Sequence, residues 1–236
     1  MADWGTKGPA FRFERDMVES ARRWLVDLGV ITKAEFATPW GICDLVGVSF
    51  NEEHVQQRLN LGQRECIGPP LRIEILRRIP DSATGRLITF RRLERECAGA
   101  LTAHDLAREV RRLVARKFVR VGNNGLLQKI DGWVPLHDRI IAVELKLLRV
   151  ADVLSQAASH LRFASESYAG LPAQLALRIA GGQRSEDFRR AGVGILAVSG
   201  RDCCVVLPAH RQPSTADPVM QMHCVERFWR SRVTGN

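Results

Sequence analysis

The 236-residue chain contains no apolar run approaching the ~20 residues needed to span a bilayer, and its charged, aromatic N-terminus lacks the apolar stretch of a secretory signal. The expectation is a cytoplasmic protein with no membrane role. Low-complexity tracts and internal repeats are also missing, which excludes a mainly disordered chain and a solenoid. No CxxC occurs. The six cysteines stand at 43, 66, 97, 203, 204 and 224, and none falls at zinc-ligand spacing with a histidine. They read as small hydrophobes in a reducing compartment, not as a disulfide frame or a zinc knuckle.

Acidic charge is short as well: 26 Asp/Glu face 35 Lys/Arg, a net charge of +9. The excess is local. Residues 54–130 hold 16 Lys/Arg and 7 Asp/Glu, which accounts for all of it, and the rest of the chain is balanced. Basic charge concentrated in one segment points to a polyanionic partner. With 45% hydrophobic and 26% charged residues, the length suits one large domain or two modest ones.

Helical spacing of Met17, Ala21, Trp24, Leu25 and Leu28 predicts a helix over 11–28, stopped by Gly29. Trp40 to Val48 reads as a mostly apolar strand carrying one carboxylate, Asp44, and Asn51 is placed to cap a helix through Leu59. In the basic segment, Pro69-Pro70 open a helix with an Ile75/Leu76/Ile79 stripe, and residues 81–85 form a loop. Two more helices are expected over 89–97 and 102–117, the second opened by Thr102 and Asp105. Gly122-Asn123-Asn124-Gly125 between two apolar stretches signals a hairpin. From Arg139 on, strands (140–148, 168–171, 193–198, 203–207) alternate with helices (151–166, 186–190), as in an α/β sheet with helical cover. Residues 212–236 carry no clear pattern.

Chemistry centres on Ile140-Ile141-Ala142-Val143-Glu144-Leu145-Lys146-Leu147. Residues two apart in a strand share a face, so Glu144 and Lys146 project together while Ile141, Val143, Leu145 and Leu147 enter a core. A carboxylate and an ammonium in so apolar a strand are costly to desolvate and need each other, a metal or solvent. Three further features turn an ordinary ion pair into a candidate site. Asp44 offers a second carboxylate on another apolar strand. Gln156 and His160 lie four apart on the following helix. Glu14 stands at the edge of the first helix's buried stripe, whereas Glu19 lies on its solvated face.

The order of these parts, a helix with Glu14, a strand with Asp44, a strand with Glu144 and Lys146 and a helix with Gln156, resembles the PD-(D/E)xK restriction-endonuclease-like nucleases. Phe13-Glu14-Arg15-Asp16-Met17-Val18 is similar to the opening helix of archaeal Holliday-junction resolvases of that superfamily. Ala142 to Lys146, Gln156-Ala157, Phe163-Ala164 and Tyr168 to Pro172 resemble prokaryotic proteins that pair a nuclease-like domain with a winged helix. The likeness covers residues 11–50 and 135–207 and rests on short motifs in a fixed order. Asp44 and Glu144 stand 100 residues apart, but without the 77 residues from 54 to 130 the spacing falls to an ordinary 23. An inserted domain accounts for this. Asp131 and Asp138, nearer to Glu144, compete for the role of metal acid; Asp44 is preferred because a strand holds a ligand more firmly than a loop.

The resemblance implies an α/β fold, a restriction-endonuclease-like mixed sheet flanked by helices. It divides the chain into a core of residues 1–53 and 131–236 and an inserted, mainly helical winged-helix domain of 54–130. It implies Mg2+ (or Mn2+) held by Asp44, Glu144 and the Leu145 carbonyl, with Lys146 orienting or helping to deprotonate the attacking water and Glu14 as a further acid. Gln156 and His160 would assist. In the basic segment His104, Arg108, Arg111 and Arg112, opposite the apolar stripe of the third helix, are expected to meet duplex DNA, extended by Arg120 and Lys129 along the wing. The function implied is a DNA endonuclease, alone, as a homodimer or with a partner subunit. The alternative is a catalytically silent DNA-binding regulator, or a subunit of a defence or repair complex, on the same scaffold.

Overall fold

Asp16 starts the fold: its carboxylate accepts from the backbone N–H groups of Arg12 (3.1 Å) and Phe13 (2.9 Å), and a 3-10 turn at Glu14–Met17 runs on into helix α1 (Val18–Asp27). Gly29, at φ 75°, ends it as expected, in a conformation that costs glycine little. There follow β1 (Ile31–Thr38), β2 (Gly41–Phe50), α2 (Glu52–Asn60), α3 (Pro70–Arg78), α4 (Phe90–Glu96) and α5 (Ala103–Ala115). Next come β3 (Val119–Val121), β4 (Leu127–Lys129), β5 (His137–Leu145), α6 (Val150–His160), β6 (Glu166–Pro172) and α7 (Ala173–Ala180). The order closes with α8 (Ser185–Ala191), β7 (Gly194–Val198), β8 (Cys203–Leu207) and α9 (Pro218–Thr234). The structure, a computed structural model, describes residues 11–130, 135–200, 202–210 and 216–234.

Two compact units emerge: Met1–Ser49 with His137–Gln221, and Phe50–Leu136 with Met222–Asn236. The first holds a six-stranded sheet in the order β1-β2-β5-β6-β7-β8. Strands β5, β6 and β7 run parallel, and β1–β2 and β7–β8 run antiparallel, so the sheet is mixed. Alternation along the strands separates two cores. Met17, Ala21 and Leu25 of α1 pack on Leu45, Ile141, Val143, Leu145, Leu196 and Val198. On the opposite face Val153 and Ala157 of α6, Ile179 of α7 and Phe188 of α8 cover Ala169, Leu171, Ile195 and Ala197. Helices thus lie on both faces of a sheet whose central strands are mostly apolar.

In the second unit Asn51 and Thr102 cap α2 and α5 as expected, and Thr89 also caps α4: they accept from the His54, Asp105 and Arg92 backbone N–H groups. Strands β3 and β4 form the expected hairpin, and Ile88, between α3 and α4, exchanges both backbone hydrogen bonds with Leu127 of β4 (3.0 and 2.8 Å). Arg72 of α3 donates to Glu109 of α5 at 2.6 Å, a pair buried on both sides. The second unit reaches beyond 54–130, because it includes most of α9. Buried Arg58 is clamped there: Glu226 accepts from its guanidinium and from the Ile67 N–H (2.6 Å), and Trp229 stacks on it at 4.0 Å. Neither α9 nor α7 is expected from the sequence, and neither is β1, whose apolar and polar residues alternate poorly.

Candidate active site

All the residues that converge lie in the first unit. Leu145 donates its backbone N–H to Asp44 Oδ2 at 2.7 Å, which sets the Asp44 carboxylate against β5 between Glu144 and Lys146. Strand β5 ends at Leu145, so Lys146 stands just past the strand end, where its chain can turn. Its Nζ donates to Glu144 Oε1 (3.2 Å) and Glu14 Oε2 (3.3 Å). On the other side of Glu144, His160 Nε2 lies 3.1 Å from Oε2. The result is a line of polar groups, His160–Glu144–Lys146–Glu14, with Asp44 beside it. Glu144 and His160 are buried, Lys146 is partly so, and the Glu14 side chain is 45% exposed, marking the solvent end.

An irregularity in the β1–β2 pair aims Asp44. Pairing runs Ala34↔Leu45 and then Phe36↔Cys43, skipping Glu35, which takes φ 48° opposite Asp44. Leu45 packs into the α1 core, yet Cys43, two residues before it, meets His160 of α6. A regular strand would put both on one face; the break in the ladder at the Glu35–Asp44 position, which leaves the register unchanged, lies between them. Phe36 then stacks on Phe163, which in turn packs against the His160 ring.

Electrostatics follows from three carboxyl groups around one ammonium. Burial raises the Asp44 pKa, Glu144 and Glu14 add to the rise, and the Leu145 N–H and Lys146 oppose it. Burial pulls the Lys146 ammonium down, but Glu144, Asp44 and Glu14 outweigh it and hold the pKa above the usual lysine value. Lys146 is therefore held in its charged form in this arrangement and donates hydrogen bonds to Glu144 and Glu14. An excess of hard oxygen donors in a partly buried place suits Mg2+, whose charge would relieve the crowding that raises Asp44. Among the described residues the group of three with ligand atoms all within 4.8 Å of one another is a different one, Cys43, Glu144 and His160. Cys43 donates its thiol to the carbonyls of Leu45 (3.2 Å) and Val143 (3.5 Å), and burial, followed by Glu144 and Asp44, pushes its pKa well up. No sequence spacing signals its presence, because its neighbours come from β5 and α6.

Other expected positions divide. Gln156 is exposed on α6, and among the described residues no hydrogen bond joins its side chain to the cluster. Glu19 pairs with Arg22 on the outer face of α1. Asp138 is exposed at the end of β5 remote from Glu144, and Asp131 lies outside the described residues. In the second unit, His104, Arg108, Arg111 and Arg112 are exposed along α5, opposite buried Leu106, Val110 and Leu113. Arg108 spends charge on Asp105 (2.8 Å) and Glu109, and Arg112 on Glu109 (2.7 Å). Arg120 is exposed and donates to Gln128 at 2.5 Å. Lys129 corrects the wing: it is 6% exposed, held where β4 also pairs with the Pro80–Asp81 segment, and burial lowers its pKa against the pull of Asp81. A side chain so enclosed is not available to a phosphate. Compared with family models, with curated proteins and with solved structures, the chain matches none, so its function is argued from this geometry alone.

Proposed function

We propose that the chain is a Mg2+-dependent DNA endonuclease whose second unit is a winged helix that delivers it to duplex DNA. The observation that carries this reading is the meeting of Asp44, Glu144, Lys146 and Glu14, drawn from two strands and the turn before α1, at the C-terminal end of β5. Asp44 and Glu144, with the Leu145 carbonyl, are the oxygens suited to hold Mg2+, or Mn2+ in its place. When bound, the ion supplies Lewis-acid polarisation of the phosphoryl oxygen. Lys146, hydrogen-bonded to Glu144 and Glu14, is placed to face the scissile phosphate as a counter-charge and to orient the attacking water. Glu14, at the solvent end, anchors the Lys146 ammonium from the side away from Glu144. For the second unit, the order of three helices and a hairpin, with Ile88 paired to β4, supports a winged helix, and α5 is the element that would enter the groove.

One observation favours a second reading, a DNA-binding regulator on an inert scaffold: both oxygens of Glu144 are engaged by side chains of the protein, Lys146 and His160. A cleavage assay separates the two. Plasmid and linear DNA are incubated with Mg2+ or Mn2+ and the wild type, Lys146→Ala or Asp44→Ala. The nuclease reading expects nicking or cutting by the wild type, a loss of about a hundredfold or more in each variant, and unchanged DNA binding. Binding with no cleavage under either metal overturns it in favour of the regulator.

A further inference from the structure

On the α6 side of Glu144 lies a donor set of a different chemical kind. Cys43 Sγ, a Glu144 carboxylate oxygen and a His160 ring nitrogen sit within 4.8 Å of one another, and all three residues are buried, at 0%, 2% and 5% exposure. Sulfur, imidazole nitrogen and a carboxylate oxygen are the ligands of borderline ions such as Zn2+ and Co2+; Mg2+ does not take sulfur. Each donor is fixed from outside the cluster. The Cys43 thiol is aimed by its bonds to Leu45 and Val143, the His160 ring packs against Phe163, and Glu144 is gripped by Lys146 from the other side. The break in the β1–β2 ladder opposite Glu35 falls between Cys43 and Leu45, which lie on opposite faces of the sheet.

We propose that Cys43, Glu144 and His160 form a second metal site, selective for Zn2+-like ions, that shares Glu144 with the hard-oxygen site of Asp44. Binding replaces the S–H bond of Cys43 by a metal–thiolate bond and releases that proton to solvent; His160 offers the Nε2 lone pair with its proton on Nδ1. The ion takes the Glu144 oxygen that His160 now contacts. A carboxylate drawn toward a buried Zn2+ is a poorer ligand for Mg2+, and the second cation repels the first. Zn2+ is then a built-in inhibitor of the cleavage proposed above, a consequence that rests on that reading, whereas the metal site itself does not.

Cobalt tests the site independently of catalysis. The full chain, stripped with a chelator, is titrated with Co2+ and followed for sulfur-to-cobalt charge-transfer absorption, with Zn2+ affinity measured by competition. The expected result is one equivalent bound with a thiolate band. That band should be absent in Cys43→Ser, and Zn2+ affinity should be weakened by about tenfold or more in Cys43→Ser and His160→Ala. Asp44→Ala, which removes the hard-oxygen site, should keep the band. No thiolate band in the wild type overturns the proposal whether or not the variants fold, and so does a band that survives Cys43→Ser, which would place the sulfur elsewhere. In the cleavage assay, Zn2+ added to the Mg2+-supported reaction should inhibit the wild type about tenfold more strongly than Cys43→Ser. If no cleavage is seen under any metal, the nuclease reading fails while the cobalt titration still decides this one.

Discussion

Asp44 shows how one residue can be placed at the expense of stability. It accepts a 2.7 Å hydrogen bond from Leu145, but burial and the neighbouring Glu144 and Glu14 raise its pKa. A carboxyl group whose folded pKa is raised costs stability at pH values above that pKa, and the cost vanishes as the pH falls through it. Asn keeps an acceptor for Leu145 without the charge. Asp44→Asn should therefore raise the melting temperature of the chain in chelator at neutral pH, with the difference shrinking toward zero as the pH is lowered below the ordinary carboxylate range, while cleavage is lost. A lower melting temperature for Asp44→Asn at neutral pH would show that the charge is not the burden argued here. Lys146 is the mirror image: three carboxyl groups hold its pKa up against the effect of burial.

At the scale of the element, the β1–β2 pair shapes the site as much as the β5 strand that carries Glu144. Glu35 sits at φ 48°, where a non-glycine residue is uncommon and a β-branched one is strained. Glu35→Val should cost about 1–3 kcal/mol in urea unfolding and reduce cleavage, because relaxing the kink moves Asp44 off Leu145. Glu35→Gly accepts the same backbone and should leave both stability and cleavage near wild type. If Val is as well tolerated as Gly, the kink does not depend on residue 35. Helix α5 repeats the lesson on its exposed face. Its basic residues were legible from spacing, but Asp105 and Glu109 on the same helix neutralise part of them, leaving Arg111 without an ion pair among the described residues.

For the whole molecule, the basic excess of residues 54–130 translates into an exposed basic surface that is smaller than the count implies. Arg58 and Arg72 are buried in pairs with Glu226 and Glu109, and Lys129 is enclosed; their charge serves the interior of the second unit. The other 13 of the 16 basic residues are at least partly exposed, those on the outer face of α5 among them. Arg111→Ala should weaken binding to duplexes of unrelated sequence by a similar factor and flatten the slope of log affinity against log salt by about one. Arg108→Ala and Arg112→Ala should have smaller effects, since each already shares an acidic partner. Equal loss for all three would mean that the helix's own acids do not compete with phosphate.

Periodicity and caps, which act between neighbours in the chain, were enough to delineate α1, α3, α4, α5, the hairpin and the central strands, and to single out Glu14, Asp44, Glu144 and Lys146 as candidates. Helix α9 escaped because its moderate apolar content makes sense only once Phe228 and Trp229 have a core to enter. The burial of Lys129, the exposure of Gln156 and the presence of Cys43 beside His160 were likewise settled by packing. Local pattern determined which segments could be helix or strand and which side chains were chemically able. Only the tertiary structure decided which of them meet, because the kink opposite Glu35 and the neighbours across the sheet are set by contacts between residues that the sequence keeps far apart.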